Sequence, residues 1–188
     1  GKVRDAMIAK GLAVLSVKRT FITIKAIINL AIAEHGLDIR NPFSSIFMPD
    51  TDINKRVSIP IETIREIQQA CYQIDDDIRW LIALISDTGM RLAEGAGLHI
   101  DDLRLDEEIP FVDIKPHSWR SLKTKGSQRR IPLVGASRWA AQRVSASASS
   151  CFAFPRYTDN ELCNANSASN ALNKWLKTNF RDDIVVHG

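Results

Sequence analysis

An arginine and a glutamate stand three residues apart, directly after a pair of residues that favours a helix end. Arg91 and Glu94 follow Thr88-Gly89, and side chains three residues apart on a helix are neighbours. Arg91 would begin that helix, where free backbone N–H groups favour an anion. There an arginine can hold a phosphate through two hydrogen bonds while the glutamate orients its guanidinium. The alternative interpretation is a surface ion pair that contributes roughly a few tenths of a kcal/mol.

A basic segment from Ser121 to Leu133 follows about thirty residues downstream. A lysine on a flexible turn, such as Lys123, can approach a phosphate and give its proton to a departing alkoxide, which is general acid catalysis. Lys125 is an alternative for this role because it lies two residues further along the same turn. A turn of this composition, taken alone, is more often a solvated loop.

This segment lies inside a longer basic stretch, residues 114–158, which has nine Lys and Arg residues and no acid. Such a cluster is typical of a surface that faces phosphates, although a solvated basic face is the simpler alternative. Trp119 lies beside the basic turn, where an indole could stack on a base. The candidate DNA contacts are Lys115, Trp119, Arg120, Lys125, Arg129 and Arg130.

In this order and spacing, the two segments resemble the catalytic domain of the tyrosine recombinases, the phage integrase family. The resemblance covers about residues 58–188. It rests on the run TGMRLAE at 88–94 with Leu98 four residues on, and on a KTK hairpin that closes on IPL at 131–133. The run IVVHG at 184–188 resembles the start of the family's second conserved box.

The resemblance implies a role for each matching residue. Arg91 would be the first catalytic arginine and would neutralise the phosphate in the transition state, and Glu94 would orient it. Lys123 would be the hairpin general acid, with Lys125 as its rival. His187 would assist proton transfer or contact the phosphate.

The family's second arginine, its later histidine or tryptophan and its nucleophilic tyrosine have no counterpart before Gly188. The tyrosines present, Tyr72 and Tyr157, both precede His187, whereas the family's nucleophile follows this histidine. The chain also begins at Gly1 without a methionine. These observations predict a piece of a longer protein, truncated in the second box, that binds DNA but is itself inactive.

The resemblance implies that the intact parent performs site-specific DNA recombination through a 3′-phosphotyrosyl intermediate, with no metal or other cofactor. Double-stranded DNA would be its partner, the parent would act as a homotetramer, and the fragment could be monomeric. One alternative is a non-catalytic DNA-binding remnant or accessory factor. Another is a nuclease whose Mg²⁺ is held by an acidic turn. The acids of that turn are Asp101, Asp102, Asp106, Glu107 and Glu108.

Hydrophobic periodicity predicts an α+β fold that is mostly α-helical. The predicted helices cover about 5–13, 16–35, 60–74, 76–86, 91–98, 137–149 and 166–180, and the predicted strands cover 109–114, 122–125 and 130–133. The strands suggest a small antiparallel three-stranded sheet within the catalytic domain, 59–188. Residues 1–49 would be a helical hairpin from a core-binding domain, and 50–58 would be a linker.

Composition is that of an ordinary globular protein, with 45% hydrophobic and 25% charged residues among 188, and it excludes a fibrous repeat. The longest apolar run, Trp80 to Ile85, is far shorter than the roughly 20 residues that a membrane helix needs. The three cysteines lack the spacing of zinc or redox motifs. We therefore expect a cytoplasmic protein without a membrane partner.

Overall fold

The computed structural model describes residues 1–48, 58–180 and Ile184. The chain divides into two compact units, 1–57 and 58–188. Of the predicted linker, 50–58, only Ser58 lies among the described residues. Within the described part of the chain, no helix is both long enough and apolar enough to cross a membrane.

The described residues of the first unit, 1–48, contain two helices, α1 (Lys2–Ala9) and α2 (Val14–Glu34). The predicted long helix is present, but the shorter one ends earlier than predicted. Gly11, with φ of +82°, adopts the left-handed backbone that glycine permits and turns the chain between the two helices. On α2, Val17 and Phe21 are buried, and the Phe21 ring lies 6.1 Å from that of Phe43. This small cluster holds the unit together.

The second unit is built around a central helix, α4. Its helices are α3 (Ile61–Ile74), α4 (Asp77–Thr88), α5 (Leu92–Ala96), α6 (Gly135–Ala146) and α7 (Ala165–Asn179). Helix α4 packs against all four of the others, and Leu81, Ala83 and Leu84 on it are completely buried. This accounts for its nearly continuous apolar sequence, because a helix surrounded by other helices has no face for polar residues.

Both ends of α4 are capped, and the cap at its C-terminus leads directly into the next helix. Asp76 caps the N-terminus by accepting a hydrogen bond from the backbone N–H of Arg79 at 3.0 Å. At the other end, Gly89 adopts a left-handed conformation with φ of +60°. The chain reverses there, so that Arg91 becomes the N-cap of α5. Helix α5 is only five residues long, which is shorter than the predicted 91–98.

The sheet has three antiparallel strands, in the order β1 (Leu103–Arg104), β2 (Phe111–Ile114) and β3 (Arg129–Pro132). The predicted fold class, with its antiparallel three-stranded sheet, is confirmed. One predicted strand is wrong, because residues 122–125 lie in the connection between β2 and β3. The third strand is instead β1, which pairs Leu103 with Val112.

Strand β3 determines where its two arginines point. Consecutive side chains of a strand lie on opposite faces. Arg129 faces α5, whereas Arg130 lies opposite Asp113 and places its guanidinium 4.9 Å from the centre of the Phe111 ring. The two arginines therefore belong to different surfaces.

Candidate functional site

Glu94 is shared by two arginines from distant parts of the chain. Its Oε1 lies 2.8 Å from Nη1 of Arg91, and its Oε2 lies 2.9 Å from Nη2 of Arg129. Oε2 also accepts the backbone N–H of Arg91 at 2.9 Å, as a capping-box glutamate does. The Glu94 side chain is 4% exposed, whereas those of Arg91 and Arg129 are 44% and 34% exposed. A buried carboxylate thus holds two guanidinium groups that both reach the surface.

Ser127 connects this pair of arginines to the turn before β3. Its hydroxyl lies 3.3 Å from Nη1 of Arg91 and 2.9 Å from the hydroxyl of Thr124. Its carbonyl accepts a hydrogen bond from Nη1 of Arg129 at 2.7 Å. We call Arg91, Glu94, Ser127 and Arg129 the Glu94 cluster. The cluster brings the start of α5 and the basic turn to one place, as the sequence predicts.

The arginines keep Glu94 ionised although it is buried. Burial alone would raise the pKa of Glu94, because it penalises the charged form. Hydrogen bonds from the Arg129 guanidinium and from the backbone and side chain of Arg91 outweigh burial, so the pKa lies below its ordinary value. At neutral pH the cluster therefore has two positive charges and one negative charge, and its net charge favours an anion.

The lowered pKa makes the cluster sensitive to acid. A carboxylate whose pKa is lower in the folded state contributes stability that is complete above its unfolded pKa, about 4.3, and that is lost as the pH falls through the folded value. We expect the difference in the free energy of unfolding between the wild type and Glu94→Gln to be largest above about pH 5. It should shrink steadily below about pH 4. Urea unfolding at several pH values measures it, and a difference that does not change with pH would contradict the ion pairs.

The two candidate lysines of the turn lie in the connection between β2 and β3. Lys123 is exposed, in the position of a side chain that approaches a ligand from the solvent. Lys125 begins a short 3₁₀ turn, Lys125–Ser127, and its side chain lies outside the described part of the chain. Which of the two lysines acts as the general acid stays a prediction.

Arg120 is a predicted DNA contact, and the structure corrects this prediction. Its side chain is 2% exposed, and its guanidinium donates to the carbonyls of Glu94 and Lys115. A buried guanidinium with internal partners cannot reach a phosphate on the surface. The basic character of the stretch does not distinguish this residue from its exposed neighbours.

Trp119, another predicted DNA contact, also has its partners within the protein. Its indole N–H donates to the carbonyl of Gly97 at 3.0 Å, and its ring stacks on His117 with centroids 4.4 Å apart. The Phe152 ring lies perpendicular to it, with ring centroids 5.0 Å apart. A half-buried ring with one face already covered by His117 is a poor platform for a base.

Lys115 and Arg130 also have partners within the protein. Nζ of Lys115 lies 2.9 Å from the carboxylate of Asp102, which is fully buried, although the Lys115 side chain stays 37% exposed. Arg130 lies over Phe111, on the face of the sheet opposite Arg129. Of the predicted DNA contacts whose side chains are described, Arg129 is the one that joins Arg91.

The acidic turn does not form a metal site in the described part of the chain. Among residues 1–48, 58–180 and 184, no three His, Cys, Asp or Glu side chains converge as metal ligands. Asp102 points inward to Lys115 and His117, and Glu107 lies 3.2 Å from Arg104. These contacts occupy two of the five carboxylates that the nuclease alternative would draw on.

The remaining candidates are His187 and the two tyrosines. His187 lies outside the described residues, so its role stays a prediction. Tyr157 is 3% exposed, and burial is the main cause that raises its pKa above the ordinary value. Tyr72 lies edge-on to Trp139, with ring centroids 4.7 Å apart. The Arg156 side chain beside Tyr157 acts to lower its pKa, but burial outweighs this effect.

A comparison with models of protein families finds a match that covers nearly the whole second unit. The model of the phage integrase family matches residues 59–188, which include α3 to α7, the sheet and the whole Glu94 cluster. The chain belongs to the phage integrase family. The predicted resemblance to tyrosine recombinases is thereby confirmed. A search of curated proteins gave no match to this integrase-family chain.

Solved structures share the fold of this phage integrase family member. The Tn1549 transposon integrase in complex with circular intermediate DNA superposes with a TM-score of 0.72 at 19% identity, and covers 97% of this chain. A Tyr-to-Phe variant of that integrase, in complex with transposon right end DNA, gives a TM-score of 0.69 at 20% identity and covers 98%. The matches extend over 63% and 66% of those chains, so this chain spans somewhat less than two thirds of their length.

Sequence reasoning found the Arg91–Glu94 pair but missed the second arginine on the same carboxylate. Arg129 and Glu94 are 35 residues apart in the chain, and no local periodicity relates them. The available signal was the pair of adjacent arginines at 129 and 130, at the start of the predicted strand 130–133, because the side chains of consecutive strand residues lie on opposite faces. One of the two therefore had to face away from the solvent-exposed side of the sheet.

Proposed function

We propose that this chain is the DNA-binding and catalytic region of a site-specific DNA recombinase of the tyrosine type. The observation that supports it most is the Glu94 cluster. One buried carboxylate holds two partly exposed arginines, Arg91 at the beginning of α5 and Arg129 on β3. A turn with an exposed lysine lies beside them. Fixed guanidinium groups of this kind suit a phosphodiester, which needs its charge neutralised in the transition state.

The proposed reaction is a transesterification. A tyrosine oxygen attacks the scissile phosphorus, a bond forms between that oxygen and the phosphorus, and the bond from phosphorus to the 5′-oxygen breaks. Arg91 and Arg129 stabilise the charge of the pentacoordinate phosphate, and Glu94 keeps them in place. Lys123 gives a proton to the departing 5′-oxygen, and His187 assists by accepting the proton that the attacking tyrosine hydroxyl loses. One phosphoester replaces another, so the exchange requires no external energy source.

We further propose that residues 1–188 bind DNA without cleaving it. Tyr157 is buried, and its raised pKa disfavours the phenolate. Tyr72 packs against Trp139. The nucleophile of the intact recombinase is therefore a different tyrosine. We place the parent in the cytoplasm as a homotetramer on double-stranded DNA.

Binding to duplex DNA tests the proposal directly. Fluorescence anisotropy with a labelled duplex should show an affinity that falls steeply with salt, by a log-log slope of about −0.9 for each phosphate contacted. Arg91→Ala should weaken binding about tenfold, the loss expected for one charge-assisted contact of about 1.4 kcal/mol.

Arg138→Ala is the matched control. This arginine belongs to the same basic stretch but is exposed on α6, outside the Glu94 cluster. Its removal should change affinity by less than about twofold, as the loss of one screened surface charge does. Equal losses in Arg91→Ala and Arg138→Ala, or binding that does not respond to salt, would contradict a phosphate site at Arg91.

A further inference from the structure

The carbonyl groups at the end of α5 are capped by side chains from other segments. The last carbonyls of a helix have no partner within the helix, and α5 has only five residues. Thr158 donates its hydroxyl to the carbonyl of Ala96 at 2.8 Å, and the Trp119 indole donates to that of Gly97 at 3.0 Å. Arg120 donates to the carbonyl of Glu94 itself. Tertiary contacts thus hold this helix in place.

Arg120 differs from the other two donors because it joins two parts of the site. One guanidinium nitrogen donates to the carbonyl of Glu94 on α5, and the other donates to the carbonyl of Lys115, directly after β2. Its positive charge lies near the C-terminal end of α5, where the helix dipole favours a cation. The same side chain therefore fixes α5 relative to the connection that carries Lys123.

Two further features show that this position is built for an arginine. Asp102 is fully buried and lies 4.0 Å from the Arg120 guanidinium, so that it supplies a counter-charge in the interior. Gly97 leaves room for the arginine stem, because a Cβ at Gly97 would lie only 2.8 Å from Cδ of Arg120. The φ of Gly97 is −95°, so its backbone conformation does not require glycine. The crowding around it does, because a Cβ would also lie 3.0 Å from the carbonyl oxygen of Ala93 and 3.2 Å from Sγ of Cys163.

We propose that Arg120 is a positioning residue for the phosphate site. By holding the main chain of Glu94, it sets the place of the Glu94 carboxylate and, through it, the orientation of Arg91. This inference rests on the proposed phosphate-binding role of Arg91. It assigns to Arg120 a function that requires no contact with DNA.

A double-mutant cycle with Arg91 tests the proposal. Arg120→Lys keeps the positive charge beside Asp102, but a single ammonium group replaces the fork that spans the two carbonyls. We expect Arg120→Lys to weaken duplex binding by about fivefold in the wild-type background, less than the tenfold expected for loss of a whole charge-assisted contact. In the Arg91→Ala background it should weaken binding by less than about twofold, because residues that act through one another are not additive.

A matched control separates positioning from general destabilisation. Asp76→Ala removes the N-cap of α4 and should lower the melting temperature by about 2–6 °C, the usual effect of losing a cap. It should leave DNA affinity unchanged at temperatures where the protein is folded. Arg120→Lys should lower the melting temperature by no more than Asp76→Ala does. Unlike Asp76→Ala, it should also reduce the affinity for DNA.

Gly97→Ala supplies a second perturbation of this region, because the added methyl group competes for space with the Arg120 stem and with the carbonyl of Ala93 on α5. It should reproduce the loss of affinity seen in Arg120→Lys, and it should also lose its effect when Arg91 is alanine. Full additivity of Arg120→Lys with Arg91→Ala would overturn the positioning role while leaving the phosphate site intact. An Arg91→Ala variant that binds DNA normally would instead overturn the proposed function.

Discussion

Replacing Lys123, Lys125, Arg129 and Arg130 together by alanine is expected to lower the affinity for duplex DNA by about a hundredfold to a thousandfold at low salt. Each charge-assisted bond to a phosphate contributes about tenfold, and two or three of these side chains are expected to reach the backbone. The log-log salt slope should become shallower by about 1.8 to 2.7, because two or three fewer phosphates are neutralised by the protein. Anisotropy titrations between low and physiological salt measure both quantities.

Arg130→Ala alone is the internal control for this quadruple variant. Arg130 lies over Phe111, on the face of the sheet opposite Arg129, so it should contribute little to the combined effect. Its removal should change affinity by less than about twofold, as for a screened charge away from the site. If the quadruple variant binds as well as the wild type, the DNA-binding surface lies elsewhere. A large loss from Arg130→Ala would place it on the other face of the sheet.

Asp102→Leu is expected to lower the free energy of unfolding by about 3–5 kcal/mol, the usual cost of removing one partner from a buried charged network. The Asp102 side chain is completely buried, and its carboxylate lies 2.9 Å from Lys115 and 2.7 Å from His117. Without it, the buried Arg120 guanidinium loses the carboxylate that lies 4.0 Å away. Leucine is larger than aspartate and can overpack this buried position, so Asp102→Asn, which removes the charge at nearly the same volume, is measured beside it and should show most of the loss. Urea unfolding followed by circular dichroism measures the change.

Asp101→Leu provides the comparison, because it makes the same chemical change one residue away. The Asp101 side chain is 81% exposed, and substitutions at such positions usually change stability by less than about 0.5 kcal/mol. Similar losses in the two variants would show that the acidic turn acts through its surface charge. The buried network would then have no special importance.

Helical periodicity predicted the helices of the second unit well, because each buries one face or nearly its whole surface and therefore has a recognisable apolar pattern. Helix α4 was recognisable from its nearly continuous apolar run, and its ends from Asp76 and Gly89, which adopt the cap conformations expected of these residue types. The sheet was harder. Leu103-Arg104 is a strand of only two residues, which is too short for alternation to be visible, and its existence depends on pairing with β2 rather than on its own sequence.

For the site, as for the sheet, the sequence predicted contacts between residues close in the chain but not contacts between distant residues. The pairing of Arg91 with Glu94 follows from helical spacing, so the sequence was sufficient for it. The sequence could not separate Arg120 from Arg129, because both are arginines in one basic stretch and only the tertiary fold decides which is buried. Arg120 enters the interior because Asp102 and the free carbonyls at the end of α5 are its partners there.

The sharing of Glu94 by α5 and β3 has a consequence for the order of folding. The contact between Glu94 and Arg129 spans 35 residues, and contacts of long sequence separation form only after the intervening chain has been closed into a loop. During synthesis, a nascent chain that has emerged only as far as α5 still lacks the second arginine. The proposed phosphate site is therefore complete only after β3 has paired with β2 and has brought Arg129 to Glu94.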